Sequence, residues 1–209
     1  MASEATGRWA VVGLGNPGPE YATTRHNLGF RALDRLAQRH ALRWRRRERY
    51  LWAELPAAGT AEGAILVKPL TYMNLSGEAV RAVLARWRVP LARLLVVHDD
   101  MDLPCGRLRL RRGGRAAGHH GVESLIESLG SPDFARLRIG IGHPPAGEDV
   151  VAYVLGAPAP EEEAVLEQAV EKASDVVRLV LERGLEAAMN QANRSGGGEA
   201  GGGGGMLRG

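Results

Sequence analysis

Short apolar runs alternate with amphipathic stretches along most of the chain. The apolar runs predict buried strands at residues 9–14, 49–55, 64–68, 94–97 and 137–142. Helical spacing of apolar residues predicts four helices, at residues 28–40, 76–90, 119–129 and 161–194. Pro90 marks the end of the second helix, and the fourth is interrupted near Gly184. Strands that alternate with helices predict the fold class α/β: a single-domain, three-layer αβα sandwich with a central mixed, largely parallel sheet.

Two local patterns refine this outline. Residues 106–112 alternate between arginine and leucine, which predicts a half-buried strand with a cationic outer face. Asn27 directly precedes the helix predicted at residues 28–40, and asparagine is a favoured residue at the position before a helix. We therefore expect Asn27 to be the N-cap of that helix.

Composition indicates one domain in a reducing compartment. The chain has 209 residues, 44% of them hydrophobic, which suffices for one sizeable core. We expect a domain at residues 8–194 between a flexible N-terminus at 1–7 and a disordered glycine-rich tail at 195–209. Cys105 is the single cysteine, and no apolar run approaches the roughly 18 residues that cross a membrane. These features predict a cytoplasmic protein without a membrane segment.

The distribution of charged residues indicates the kind of binding partner. The formal net charge is only +3 at pH 7, but the basic residues are clustered. Local clusters of this kind favour an anionic partner over a uniformly basic protein. The basic run at residues 42–49, LRWRRRER, is interpreted as a solvated surface, with auxiliary RNA contact as the alternative.

Gly13, Gly15 and Gly18 form the GxGxxG pattern that is typical of dinucleotide-binding proteins. That motif requires a helix to begin among the glycines, so that its amides meet the pyrophosphate. Two prolines within and after the motif oppose an early helix, and no acidic residue ends a second strand about 20 residues later. We therefore reject an NAD-dependent oxidoreductase, expect no cofactor, and expect the glycines to permit a tight loop that directs Asn16 into a cleft.

Polar residues follow three of the predicted strands. The loops after Leu14, Lys68 and Val97 all carry polar side chains. In α/β folds ligands collect at the carboxyl ends of parallel strands. The sequence therefore predicts a polar cleft where these three loops meet.

Five sequence blocks resemble those of bacterial-type peptidyl-tRNA hydrolases. In chain order they are GLGNPGPEYATTRHNLGF, KPLTYMNLSGEAV, VVHDDMDLPCGRLRL, GHHGVESLIESLG and FARLRIGIGHP, between residues 11 and 144. Five blocks in order are far more specific than any one alone. The resemblance implies hydrolysis of the ester between a peptide and the 3′-terminal ribose of tRNA, which recycles tRNA from aborted translation. It also implies a monomer that binds peptidyl-tRNA through its acceptor end and phosphates and uses no metal.

The resemblance places the catalytic positions at His26, Asp99 and Asn16. A neutral imidazole can take a proton from water, and a carboxylate on its other nitrogen fixes the tautomer and stabilises the imidazolium. Asn16 matches the position that distinguishes an acylated α-nitrogen from a free ammonium. From the residues alone, His26 also fits a capping or packing role, and residues 98–102 also fit a polar turn or a Mg²⁺ site.

The resemblance further implies six substrate-binding positions: Tyr21, Tyr72, Asn74, His120, Arg111 and Arg138. Asn74 is expected to donate to the developing oxyanion, and the tyrosines to contact the terminal nucleotides or, alternatively, to be half-buried core residues. Arg111 and Arg138 are expected near the tRNA 5′ phosphate, because arginine pairs well with phosphate oxygens without reading sequence. The alternative for these arginines is a solvated cationic face.

One position departs from the family pattern. The family usually reads GHNG where this chain has Gly118-His119-His120-Gly121, so His120 replaces an asparagine. An imidazole has one donor and one acceptor and can still orient water or substrate, although the exchange can equally weaken the site. A reactive or metal-binding pair of His119 and His120 is left as an alternative. A non-catalytic RNA-binding relative of the same fold is the alternative function.

Overall fold

A seven-stranded sheet lies at the centre of the computed structural model, which describes residues 7–195. Its strands are β1 (Trp9–Gly13), β2 (Arg45–Arg46), β3 (Tyr50–Leu55), β4 (Ala64–Pro69), β5 (Leu94–Asp100), β6 (Leu108–Arg112) and β7 (Ala135–Gly140). Their order is β2-β3-β4-β1-β5-β7-β6. The central strands β4, β1, β5 and β7 are parallel, and β2, β3 and β6 add antiparallel pairs at the edges.

Helices cover both faces of the sheet. They are α1 (Leu28–Arg39), α2 (Ser76–Trp87), α3 (His120–Leu129), α4 (Val150–Leu155), α5 (Pro160–Arg183) and α6 (Leu185–Ser195). Val11 of β1 packs in one core with α1, α5 and α6, whereas Val12 packs in a second core with α2 and α3. Because successive strand residues point to opposite faces, both sides of each central strand must be apolar. The predicted three-layer α/β sandwich is confirmed.

Most predicted elements are present, with shifted ends. Gly184 has a φ of 77° and separates α5 from α6, at the predicted interruption. β5 continues to Asp100 because it pairs with β7 along its whole length, so His98 and Asp99 lie within the strand instead of after it. The short strand β2 and the helix α4 were not predicted, since two and six residues respectively are too few to establish a periodicity.

Asn27 occupies the N-cap position of α1, as predicted, but its side chain makes no capping hydrogen bond. Its Oδ1 accepts from the Asn16 amide at 2.8 Å, and its Nδ2 donates to the Asn16 carbonyl at 3.0 Å. The side chain of Asn27 thus holds the loop after β1 by both main-chain groups of Asn16.

The glycines of the GxGxxG pattern allow α1 to pack closely against β1 and the loop that follows it. A Cβ at Gly13 or at Gly29 would meet backbone atoms of the facing element well inside 3.0 Å, and a Cβ at Gly15 would meet the Phe30 ring at 2.7 Å. Of the three motif glycines, only Gly18 has a positive φ, 121°. The motif therefore lets the start of α1 approach the ends of β1 and β5, where a dinucleotide-binding motif would make room for pyrophosphate.

The edge strand β6 is closed by a side chain of α6. The Leu110 amide donates to Asn193 Oδ1 at 3.0 Å, and Asn193 Nδ2 donates to the Leu110 carbonyl at 2.9 Å. The side-chain amide thus satisfies edge groups that would otherwise be open to pairing with another strand.

Parts of the predicted termini, residues 1–6 and 196–209, lie outside the described residues. Across residues 7–195, no helix combines the length and the apolar character that a membrane crossing requires.

Gly29→Ala tests the close contact between α1 and the sheet. Alanine favours helices over glycine by about 1 kcal/mol, so propensity alone predicts a gain in stability. We expect instead a loss of about 1–3 kcal/mol, because the new methyl group overlaps backbone of β5 and of the loop after β1. Urea unfolding measures the difference. Gly7→Ala, whose Cβ meets nothing nearer than 4.0 Å, is the control, and equal stability of the two variants would contradict the packing argument.

Candidate functional site

His26 and Asp99 lie together at the carboxyl edge of the sheet. His26 belongs to a 3₁₀ turn, Arg25–Asn27, directly before α1, and Asp99 lies near the end of β5. His26 Nδ1 is 2.9 Å from Asp99 Oδ2 and 3.0 Å from Oδ1, and both side chains are buried. Parallel neighbours β1 and β5 end at the same edge, which brings the predicted pair into contact although 73 residues separate them.

His119 is a second partner of Asp99. Its Nδ1 accepts a hydrogen bond from the Val122 amide at 3.3 Å, as the N-cap of α3. A neutral imidazole whose Nδ1 accepts must carry its proton on Nε2. His119 Nε2, 3.0 Å from Asp99 Oδ1, is therefore a donor to the carboxylate.

Sequence analysis missed this role for His119, which it considered only as a partner of His120. The available signal was the position of the histidine directly before the helical periodicity of α3. A side chain that caps a helix has a defined orientation, and that orientation aims the second ring nitrogen of His119 at Asp99.

Electrostatics assign the proton on His26. Burial disfavours a charge on Asp99, but the imidazoles of His26 and His119 outweigh burial and hold the pKa of the carboxyl well below its usual range. Burial likewise disfavours charge on His26, yet the adjacent Asp99 raises the pKa of this imidazole above its ordinary value. An ionised Asp99 accepts a hydrogen bond from Nδ1–H, which leaves Nε2 of the neutral His26 as an acceptor.

His98 completes a row of three imidazoles. Its ring packs edge-on against His119 at a centroid distance of 4.8 Å, and the His119 ring lies 4.8 Å from that of His26. His98 Nδ1 donates to the Asp99 carbonyl at 2.6 Å, and its Nε2 is buried without a hydrogen-bond partner in the described part of the chain. Burial and the neighbouring His119 lower the pKa of His98 to about 3, so this ring is neutral near pH 7.

Asn16 is held in one orientation. Its Oδ1 accepts from the Met73 amide at 2.9 Å, and Asn27 bonds its main chain. Among residues 7–195 its Nδ2 has no hydrogen-bond partner, so the side chain offers a donor. The loop after β1 is thereby joined to the loop after β4, as the predicted meeting of loops requires.

The other predicted contacts after β1 and β4 differ in exposure. Tyr72 is 64% exposed, and Asn74 is also exposed, on either side of the buried Met73. Tyr21 is half-buried at the end of a 3₁₀ turn, Pro19–Tyr21. The alternative of a half-buried core tyrosine therefore fits Tyr21 and does not fit Tyr72.

His120 and His119 have different partners. His120 is the first residue of α3, its side chain is exposed, and its Nδ1 lies 3.2 Å from Glu123 Oε2. His119 instead faces Asp99. The two neighbouring imidazoles therefore do not converge as the alternative of a reactive or metal-binding pair requires.

A cavity of about 70 Å³ connects these groups. Its lining includes the polar side chains of His26, Asp99, His119 and His120 and the apolar side chains of Met101, Val150, Val151 and Val154. The cavity therefore places an imidazole with a free acceptor nitrogen in its lining.

Facing atoms of His26, Asp99 and His119 lie within 4.8 Å of one another, a spacing that could suit a cation. The histidine nitrogens, however, already hydrogen-bond the carboxylate, and His119 Nε2 carries a proton in that bond. A metal ion would have to replace both hydrogens. Hydrogen bonds to Asp99 therefore explain why these three side chains lie close together, without a bound metal ion.

The two predicted phosphate-binding arginines lie on the paired strands β6 and β7. Arg138 is half-buried and donates from Nε to Asp100 Oδ2, so its charge is already paired. Arg111 is half-buried on β6 and has no carboxylate partner among the described residues. Of the two, Arg111 retains the more available charge.

Arg136, which sequence analysis did not single out, shapes the loop beside Arg111. It is buried and donates to the carbonyls of Gly114 and Arg115 at 2.8 and 2.9 Å. Burial and the nearby Arg111 and Arg138 lower its pKa to about 10. The loop between β6 and α3 is thus anchored from beneath by a buried cation.

Comparison with known proteins identifies relatives of the whole domain. The profile of the peptidyl-tRNA hydrolase family matches residues 10–199. A peptidyl-tRNA hydrolase of Synechococcus sp. is 50% identical over 183 residues, covering 88% of this chain and 82% of that protein. That of Chloroflexus aggregans is 48% identical over 192 residues, covering 88% and 98%. A crystal structure of peptidyl-tRNA hydrolase from Acinetobacter baumannii matches with a TM-score of 0.82 at 34% identity, covering 92% and 97%.

His98→Asn tests whether the buried imidazole is neutral. An unfolded histidine titrates near 6.5, whereas His98 in the folded chain titrates at about 3, so lowering the pH between these values favours the unfolded state. Asparagine keeps an N–H donor for the Asp99 carbonyl but does not titrate. We expect the unfolding free energy of the variant to fall less steeply than that of the wild type between about pH 6.5 and 4.

Urea unfolding across that range measures the slopes. Asp99 loses its contribution as the pH falls below about 4, and the contribution of His26 is lost only as the pH rises above about 6.5, so neither group interferes. Parallel profiles for wild type and variant would show that His98 is protonated in the fold.

Proposed function

The chain belongs to the peptidyl-tRNA hydrolase family and hydrolyses the ester bond of peptidyl-tRNA, and we propose that His26 is its general base. The observation that carries this proposal is the buried contact of His26 Nδ1 with Asp99 at 2.9 Å. It leaves the opposite ring nitrogen as an acceptor beside the cavity.

The reaction then proceeds by direct attack of water. His26 Nε2 takes a proton from a water molecule as the water oxygen bonds to the ester carbonyl carbon. The tetrahedral intermediate collapses, the bond from carbon to the ribose oxygen breaks, and the imidazolium returns the proton to that oxygen. Asp99 stabilises the imidazolium between these two steps, as the aspartate of a hydrolase triad does, without becoming protonated itself.

His119 supports the base through Asp99. Its Nε2–H donates to one carboxylate oxygen at 3.0 Å, which holds the carboxylate in position and favours its ionised form. A buried carboxylate with a single partner would be more costly to keep charged. His119 is therefore proposed as a positioning residue for the His26–Asp99 pair.

Two asparagine amides are proposed to bind the acyl group. Asn74, exposed beside Met73, donates to the carbonyl oxygen as negative charge develops there. Asn16, with its carbonyl oxygen fixed on the Met73 amide, offers the donor Nδ2 to the carbonyl oxygen of the acyl group carried by the α-nitrogen. A free ammonium beside this donor would be repelled and poorly solvated, which would protect ordinary aminoacyl-tRNA from hydrolysis.

Terminal nucleotides of the tRNA are proposed to contact Tyr21 and Tyr72. The 64% exposure of Tyr72 leaves a ring face free for base stacking, which tolerates any base. His120, at the cavity rim, is proposed to orient water or substrate in place of the family's usual asparagine.

Phosphates of the acceptor end are proposed to bind along β6. Arg111 has the available charge, while Arg138 adds to the local positive field although Asp100 pairs with it. A monomer is proposed as the family resemblance implies, and a substrate made during translation supports a cytoplasmic location.

His26→Ala should lower kcat by about 10²-fold to 10⁴-fold and leave the fold intact, because a positioned general base is lost. Hydrolysis of N-acetylated aminoacyl-tRNA by the purified variants is the measurement. His40→Ala, an exposed histidine at the end of α1, is the matched control and should keep wild-type turnover. Near wild-type turnover in His26→Ala would remove the assignment, and substrate binding without cleavage by the wild type would favour the RNA-binding alternative.

Arg111→Ala should mainly raise KM, and its effect should shrink as salt is added, since a phosphate contact releases counterions. KM and kcat measured at several salt concentrations test this. Arg81→Ala on the exposed side of α2 removes the same formal charge and should change KM little. A fall in kcat that does not depend on salt would count against a phosphate contact by Arg111.

A further inference from the structure

Arg25, the residue before the proposed base, is a buried cation with a defined set of partners. Its side chain is only 10% exposed. Nε donates to Glu162 Oε1 at 2.7 Å and Nη2 donates to Glu162 Oε2 at 2.5 Å. This two-bond geometry fixes both the position and the plane of the guanidinium. Arg25 thereby joins the turn that carries His26 to the first turn of α5.

The third nitrogen of the same guanidinium binds the end of α4. Nη1 donates to the Tyr153 carbonyl at 3.0 Å and lies 3.4 Å from the Gly156 carbonyl. The Arg25 main-chain amide also donates to Gly156 at 3.3 Å, and the guanidinium lies 4.1 Å from the centre of the Tyr153 ring. Carbonyls at the C-terminal end of a helix have no partner within the helix, and a cation there is favourable.

Helix α4 needs such support because it has only six residues. Isolated helices of this length are not stable in water. Its other anchor is the Tyr153 hydroxyl, which donates to the Ile141 carbonyl at 2.6 Å. The same helix contributes Val150 and Val151, 45% and 54% exposed, to the lining of the cavity that His26 also lines.

We propose that Arg25 is a positioning residue that holds the apolar α4 wall of the cavity and the His26 turn in one fixed arrangement. This inference rests on the proposed function of His26. The guanidinium of Arg25 connects the His26 turn to α4. If its hydrogen bonds are lost, the His26 turn and α4 can move independently. Arg25 itself touches neither water nor substrate in this role.

The consequence for His26 is electrostatic as well as geometric. Asp99, His119 and His98 are the titratable neighbours in contact with its ring or its partner, and Asp100, Asp102 and His120 line the same cavity. Arg25 keeps its own charge paired with Glu162. If the turn shifts, the contact between His26 and Asp99 lengthens, and the pKa of His26 falls back from its raised value.

Arg25→Lys is the variant that tests the inference. Lysine keeps the charge but cannot bond both Glu162 oxygens and the α4 carbonyls in one plane. We expect kcat/KM for N-acetylated aminoacyl-tRNA to fall about 10-fold to 100-fold, the range for a small misplacement of a reacting group. We also expect the acidic limb of the kcat/KM profile to move to lower pH, because that limb reports the pKa of the free base.

Arg31→Lys is the matched control. Arg31 lies on α1, is 16% exposed, and likewise pairs through two nitrogens with a glutamate of α5, Glu163. Unlike Arg25, it makes no hydrogen bond to α4 among the described residues. Both lysine variants should lower Tm by similar amounts. Only Arg25→Lys should change kcat/KM and move the acidic limb, because only Arg25 bonds α4 and the His26 turn.

The outcomes separate the two proposals. Loss of Tm in both lysine variants, without a change in rate or pH profile for Arg25→Lys, would overturn the positioning role and leave His26 as the base. If His26→Ala keeps wild-type turnover, the proposed function fails whatever Arg25→Lys does. If Arg25→Lys does not fold, Glu162→Gln is the second test of the positioning role. This variant removes the charge of the Arg25 partner and should also move the acidic limb of the kcat/KM profile to lower pH.

Discussion

A single buried carboxylate, Asp99, is the group on which the site depends. It lies in the sheet with 2% of its surface exposed, where an unpaired charge would be very costly. Two imidazoles from different elements stabilise the charge: His26 from the turn before α1 and His119 from the start of α3. The charge in turn determines the proton positions on both rings. The acceptor nitrogen of His26 thus follows from how the fold satisfies Asp99.

Backbone packing brings these groups together. Gly13 and Gly29 have no Cβ, so the start of α1 can lie directly against the ends of β1 and β5. A larger residue at either position would push the turn that carries His26 away from Asp99. Asn27 adds to this arrangement, because it holds the loop after β1 through the main chain of Asn16. The GxGxxG pattern is therefore a packing motif here, and its likeness to a dinucleotide motif is one of spacing alone.

The charged residues around the cavity divide into paired and available groups. Arg25 and Arg138 each have a carboxylate partner, whereas Arg136 binds carbonyls of a loop. These three contribute order to the walls of the site. Arg111 has no such partner within residues 7–195 and so remains suited to a phosphate. The same residue type thus serves two purposes, and burial together with local partners separates them.

Sequence alone determined the layered α/β architecture, because buried central strands must be apolar on both faces and helices must keep an apolar stripe. It also predicted His26, Asp99 and Asn16 as catalytic residues, since the motif blocks carry these residues in order, and the structure places His26 against Asp99. The role of His119, the pairing of Arg138 with Asp100, and the side-chain contacts of Asn27 were decided only by tertiary structure. Each depends on which atom of a side chain meets a residue far away in the chain, and local periodicity contains no information about such a contact.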